Sequence, residues 1–250
     1  MLERQRALMI PTCFDETQNR FIASVHTWVL KTPRHVMLID SCGGNHKDRP
    51  ALPRFHQQNL PFLARLAEAG VTPDEVDFVC CTHLHADHCG WNTELRGGRW
   101  VPTFPNARYI FSKAEQDHWT GPAGQSGFDA GVYADSVLPV IEHGQAEIID
   151  GDGLLANGLA VHATPGHSPG HVVFELADGG EKGLFSGDIM HQPPPGVSSG
   201  LEQRLLRRSG EGARLSPLAA GARRRRCGKS VHRALRRKLG RLRDPQPRGF

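Results

Sequence analysis

The segment Thr82-His83-Leu84-His85-Ala86-Asp87-His88 places three imidazoles and a carboxylate within six positions. It directly follows the apolar stretch Phe78-Val79-Cys80-Cys81, which reads as a short buried strand. In an extended stretch His83 and His85 point the same way, because side chains alternate. The turn that follows can carry Asp87 and His88 to a neighbouring point. Imidazole with carboxylate suits zinc or another borderline divalent metal. Two sub-clusters in one loop suggest two ions. Three imidazoles and a carboxylate crowded into one turn behind a buried strand are hard to explain as a polar surface loop.

Such a site needs ligands from elsewhere in the chain. Thr164-Pro165-Gly166-His167-Ser168-Pro169-Gly170-His171 uses Pro and Gly to build a tight turn that presents a side chain at a strand end. His167 is the expected ligand there, and His171 is expected to be structural. Ser186-Gly187-Asp188 follows the strand-like Leu184-Phe185. A carboxylate so placed, Asp188, can bridge two metals. The single histidines His26, His35, His46, His56, His118, His143 and His162 have no ligand spacing and are read as surface or supporting residues. Cys80 and Cys81 are read as buried small apolar residues.

The elements that position these groups can be read from pattern. Residues 21–30 (FIASVHTWVL) and 36–39 (VMLI) read as a hairpin around Thr32-Pro33-Arg34, feeding the loop Ser41-Cys42-Gly43-Gly44. Leu60, Leu63, Leu66 and Ala67 recur at helical spacing, and Gly70 stands where that helix ends. Tyr109-Ile110-Phe111 reads as a strand, and Ser112 with Glu115 as a capping box for a short helix. Residues 147–150, 159–163, 172–176 and 184–186 read as further strands. The fold class is therefore α+β or α/β with two sheets.

The series His-x-His-x-Asp-His, then Pro-Gly-His, then Gly-Asp after a strand resembles the metal-ligand series of the metallo-β-lactamase-fold hydrolases, over roughly residues 20–192. That resemblance implies a four-layer αβ/βα sandwich with the site at its open edge. It implies His83, His85 and His167 on one metal, Asp87 and His88 on the second, and Asp188 bridging. Gly44-Asn45-His46-Lys47, Gly90-Trp91-Asn92 and the stretch 100–108 (WVPTFPNAR) are similar to the N-acyl-homoserine-lactone lactonase and ester hydrolase branch. The implied cofactors are two divalent ions, zinc first, and the implied partner is a small-molecule lactone or ester. Two such ions make hydroxide available near neutral pH and stabilise charge developing on the substrate oxygen. Asp87 could also take or relay a proton. Lactonases of this branch resemble one another in a Tyr three residues after the bridging Asp; here that position is His191, a candidate catalytic helper.

Composition bounds the rest. The chain has 250 residues and a net charge of +4, with 38% hydrophobic and 22% charged residues. That length buries a sizeable core without disulfides. Six cysteines, two of them adjacent, do not make a disulfide framework. No apolar run reaches the roughly 20 residues that span a bilayer, and the first residues lead into no signal-like apolar stretch. A reduced, cytoplasmic protein is expected, with no membrane partner and with a homodimer left open. The charge is unevenly spread: residues 1–200 carry net −9 and residues 201–250 net +13. The expected division is a catalytic domain over 1–192, short by an edge strand at its front, and an Arg-rich tail over 193–250.

The tail departs from the family pattern. The second metal usually takes one more His beyond the bridging Asp, and the chain offers only His232, after Arg223-Arg224-Arg225-Arg226. The tail reads as a nucleic-acid-binding arm, as a solvated basic tail, or, the favoured reading, as the product of a reading-frame change near residue 193. As written, the second site is one ligand short and is expected to bind weakly, with poor activity. The alternatives to a lactone hydrolase are a mononuclear iron dioxygenase on the same fold, a nucleic-acid-binding or processing protein, and an inactive remnant. If the tail is out of frame, the nucleic-acid partner loses its basis.

Overall fold

The computed structural model describes residues 14–15, 17–178 and 181–189. They fall in two units, residues 14–15 and 17–22 in one and residues 23–178 and 181–189 in the other. In the first, β1 (Phe14–Asp15) and β2 (Arg20–Phe21) form an antiparallel hairpin.

The second unit holds β3 (Trp28–Lys31), β4 (Val36–Ile39), helix α1 (Phe62–Glu68), β5 (Phe78–Cys80) and the one-turn helix α2 (Ala86–Cys89). The hairpin β6 (Thr93–Arg96) and β7 (Arg99–Pro102) follows, then β8 (Arg108–Ser112), helix α3 (Lys113–Thr120), helix α4 (Leu138–Glu142) and β9 (Ala146–Ile149). The last strands are β10 (Gly153–Leu154), β11 (Ala160–Ala163), β12 (Val172–Asp178) and β13 (Glu181–Phe185). One sheet has the order β3-β4-β5-β8-β9 and is parallel except for the β3–β4 hairpin. The other has the order β10-β11-β12-β13 and is antiparallel.

Strand alternation explains the layering. Met37, Ile39, Cys80 and Ile110 leave the first sheet on one side and pack with Leu159, Val161, Val172, Phe174 and Phe185 of the second. Leu38, Val79, Cys81, Tyr109 and Phe111 leave on the other side and pack with Leu66, Trp119, Val137 and Val140 from the helical segments. The expected mixed sandwich is thus present as helices, sheet and sheet. Among the described residues no helix forms the fourth layer. The tail readings, His191 and His232 lie outside the described residues.

Two local expectations are corrected. Residues 21–30 are not one strand: β2 ends at Phe21 and pairing resumes only at Trp28. The partner strand β4 has only four residues to offer, 36–39. The Ser112–Glu115 capping box is half formed. Ser112 Oγ accepts the Glu115 N–H at 3.1 Å, but the Glu115 carboxylate turns into the core.

Candidate metal centre

The candidate ligands converge because their loops leave neighbouring strand ends. β5 runs into Thr82, whose N–H donates to Asp40 Oδ1 at 2.7 Å and whose carbonyl accepts the Val172 N–H at 2.9 Å. One residue thereby ties the end of the first sheet to the start of β12 in the second. The chain is extended through His83 and Leu84. Leu84 is fully buried in the helix-side core, and His83 and His85 on either side of it turn toward each other, with His83 Nε2 2.9 Å from His85 Nδ1. At His85 the backbone turns into α2, which carries Asp87 and His88.

Three imidazole nitrogens meet at a point. His85 Nδ1 lies 2.9 Å from His83 Nε2 and 2.9 Å from His167 Nε2. A second group, His83, His88 and Asp188, shares His83 with the first. Asp188 stands between them, with Oδ1 3.5 Å from His88 Nε2 and Oδ2 3.6 Å from His167 Nε2. A tetrahedral zinc with bonds of about 2.0–2.1 Å spaces its ligand nitrogens at about 3.3 Å. The two spacings around His85 Nδ1 therefore need to open by only a few tenths of an ångström to close on an ion. Nitrogen with carboxylate oxygen is a donor chemistry suited to such ions.

Of the sequence-derived ligands, His83, His85, His88, His167 and Asp188 are brought together. Asp87 is not in either group; its Oδ1 lies 3.8 Å from His88 Nε2. His171 is a support. Its Nε2 accepts the Asp188 N–H at 3.1 Å, and its Nδ1 meets Thr164 Oγ1 at 2.8 Å. Gly187, at φ +49°, makes this approach possible, since a Cβ there would lie 2.6 Å from His171 Nε2.

Three carboxylates to which the sequence assigned no part in the site hold the candidate ligands in place. Asp40, at the end of β4, accepts from His88 Nδ1 at 2.9 Å and so leaves His88 Nε2 to face Asp188. Glu115 is fully buried. It accepts the Leu84 N–H (2.9 Å), the Gly170 N–H (2.8 Å) and the Trp119 indole N–H (2.9 Å), stitching the His83–His85 segment to the His167 turn. Asp129 accepts the Ala86 N–H at 2.8 Å. Asp40 gave a faint signal as a carboxylate closing a buried strand. Asp129, in a Gly-rich loop, gave none.

Electrostatics separate the two groups. Burial, and after it His88, His85, His171 and His167, push His83 well below the usual imidazole range. His83 is therefore neutral, as a ligand must be. Burial disfavours charge on His88 as well, but Asp40 and Asp188 outweigh it and lift His88 well above its usual range. A cation held at the second group would compete with that proton for His88 Nε2.

Histidines and a carboxylate gathered at strand ends, beside two packed sheets, define a metal-binding αβ sandwich. The family model described as the metallo-beta-lactamase superfamily matches residues 22–245, and the chain belongs to that superfamily. Similar curated proteins include an N-acyl homoserine lactonase of Bacillus cereus, 26% identical over 130 residues, 51% of this chain and 43% of that protein. Another, from Bacillus thuringiensis, is 28% identical over 130 residues with the same coverage. The matched stretch thus spans less than half the length of these relatives. Among solved structures, hydrolase AbOPH of the beta lactamase superfamily is 25% identical with a TM-score of 0.60, covering 76% of this chain and 64% of that one. The dizinc quorum-quenching lactonase AidC is 24% identical with a TM-score of 0.50, covering 66% and 56%, and shares the fold.

Proposed function

We propose that this chain is a metal-dependent hydrolase that opens lactones or cleaves related esters. The observation that carries the reading is the paired cluster: two ligand groups share His83, and the two oxygens of Asp188 face one histidine of each. In this reading His83, His85 and His167 hold one divalent ion, zinc first. His88 and Asp188, together with Asp87, would hold the second, with Asp188 as the carboxylate placed to serve both. Ions held there supply Lewis acidity and lower the pKa of a bound water. The protein's own part is to keep His83 neutral, to aim His88 through Asp40, and to hold Asp188 through His171. Asp87 Oδ1 stands 3.8 Å from His88 Nε2, too far for a direct hydrogen bond, so a proton it takes or relays at the second group passes through a bridging water. The lactone preference is supported by the names of the curated relatives.

We read residues 1–192 as the catalytic domain and 193–250 as the Arg-rich segment, and expect one ion to be held more tightly than the other. Metal analysis with a pH-stat assay tests the function. The chelator-stripped chain is reloaded with zinc and offered acyl-homoserine lactones, simple γ-lactones and aryl esters. Slow hydrolysis that requires the reloaded metal is expected. Zinc-loaded protein that hydrolyses none of them, or iron-loaded protein that consumes oxygen with a thiol substrate, would overturn it. DNA sequence across codons 190–250 decides the frame: an adjacent open frame carrying the family's final His is expected, and its absence rejects the frame change.

A further inference from the structure

We propose that Asp129 is a positioning residue for His85, fixing the imidazole so that Nδ1 is the metal-facing nitrogen. This rests on the metal-binding part of the reading above and not on its substrate. Asp129 lies in the loop between α3 and α4. Its carbonyl accepts the Val132 N–H at 3.1 Å, which anchors the residue in the chain. One carboxylate oxygen accepts the Ala86 N–H at 2.8 Å, immediately after His85. The other, Oδ2, lies 3.9 Å from His85 Nε2. That separation is too long for a hydrogen bond, so the carboxylate acts on the ring as a charge facing Nε2. Asp129 and His85 are both mostly shielded, at 16% and 21% side-chain exposure, so water screens the contact only in part.

His85 has two nitrogens with opposite surroundings. Nδ1 faces His83 Nε2 and His167 Nε2, each at 2.9 Å. Nε2 faces a carboxylate. A carboxylate stabilises N–H on the nitrogen nearest to it, which leaves the lone pair on the other. The ring is also held from the side by Trp119, edge-on at 5.5 Å between centroids. Asp40 does the same for His88 with the nitrogens exchanged: it takes Nδ1–H and frees Nε2. Each metal group therefore has one carboxylate behind one histidine. A brace at the start of α2 would explain the Ala86 contact but not the second oxygen turned toward His85.

Zinc affinity of the full-length chain, measured by competition with a chromophoric chelator, separates the two roles. Asp129→Asn keeps an oxygen for Ala86 N–H and removes the charge facing His85. It is expected to weaken the tighter zinc 10–100-fold, with the unfolding midpoint of the metal-free form unchanged. Asp129→Asn with wild-type affinity, alongside an Asp129→Ala that loses it, would reduce Asp129 to a brace and overturn the proposal. A measurement on unmodified protein guards against a variant that fails to fold. Side-chain 15N spectra of the metal-free chain are expected to show His85 protonated on Nε2, and protonation on Nδ1 would overturn the proposal. Wild-type protein that takes up no zinc would instead remove the metal-binding reading itself.

Discussion

Glu115 offers the sharpest test of how the two ligand segments are held together. Its carboxylate is fully buried and receives three N–H groups, from Leu84, Gly170 and Trp119, at 2.8–2.9 Å. Glu115→Ala leaves all three donors without that acceptor. A buried donor so orphaned costs about 1–3 kcal/mol, so the loss is about 3 kcal/mol at the low end. Against a total stability of about 5–15 kcal/mol, that is a large share. Glu115→Gln is the graded control. One amide oxygen can replace Oε2 and keep Leu84 and Trp119, while the amide NH2 then faces the Gly170 N–H. Its cost is the loss of one contact, about 1–3 kcal/mol. Urea denaturation of the metal-free chain gives the stability, and zinc competition gives the second readout. Because Leu84 sits between two candidate ligands and Gly170 three residues beyond His167, the larger loss should come with weaker zinc binding. A Glu115→Ala chain less than 1 kcal/mol below wild type, with unchanged zinc affinity, would refute the reasoning.

Further outcomes follow from close packing and charge. Gly90→Ala would place a Cβ 2.0 Å from the Gly43 carbonyl carbon; a loss of about 3 kcal/mol or more is expected in thermal denaturation. His171 is pushed down to about 3 by burial first and then by His167. The unfolded chain therefore binds more protons below the ordinary imidazole value of 6.5, and the stability His171 contributes is lost as pH falls from there toward 3. Relative to His171→Gln, metal-free wild type should lose about 2 kcal/mol between pH 7 and pH 5, at about 1.36 kcal/mol per unit; a constant difference between the two chains would contradict this. Zinc at the second group competes with the His88 proton that Asp40 and Asp188 retain. Asp40→Asn should move the pH midpoint of that binding downward, which zinc titrations across pH 5–8 would show.

Legibility tracked sequence distance. β4 was found at its full extent because four apolar residues run between a Thr-Pro turn and Asp40. Helix α1 was located by its spacing and by Gly70, which closes it at φ +75°. The candidate cluster was legible because His83, His85 and His88 are crowded into one short segment. The pairs that hold them were not, since their members lie far apart in the chain: 48 residues separate Asp40 from His88, and 55 separate Glu115 from Gly170. The Glu115 signal also had a local explanation, the capping box, that the tertiary structure overrode. The hairpin β6–β7 went unread because Glu94, Arg96 and Arg99 mask its pattern.

β4 is covered on both faces, with Met37 and Ile39 in the inter-sheet core and Leu38 in the helix-side core. For such a strand hydrophobic patterning is a poor guide to alignment, because a one-residue slip trades one apolar environment for another. What a slip would break is polar. Asp40 would lose the Thr82 N–H and His88 Nδ1. The carboxylate that aims a ligand thus also fixes where its own strand stops sliding, so assembly of the site and selection of the correct strand alignment become the same event.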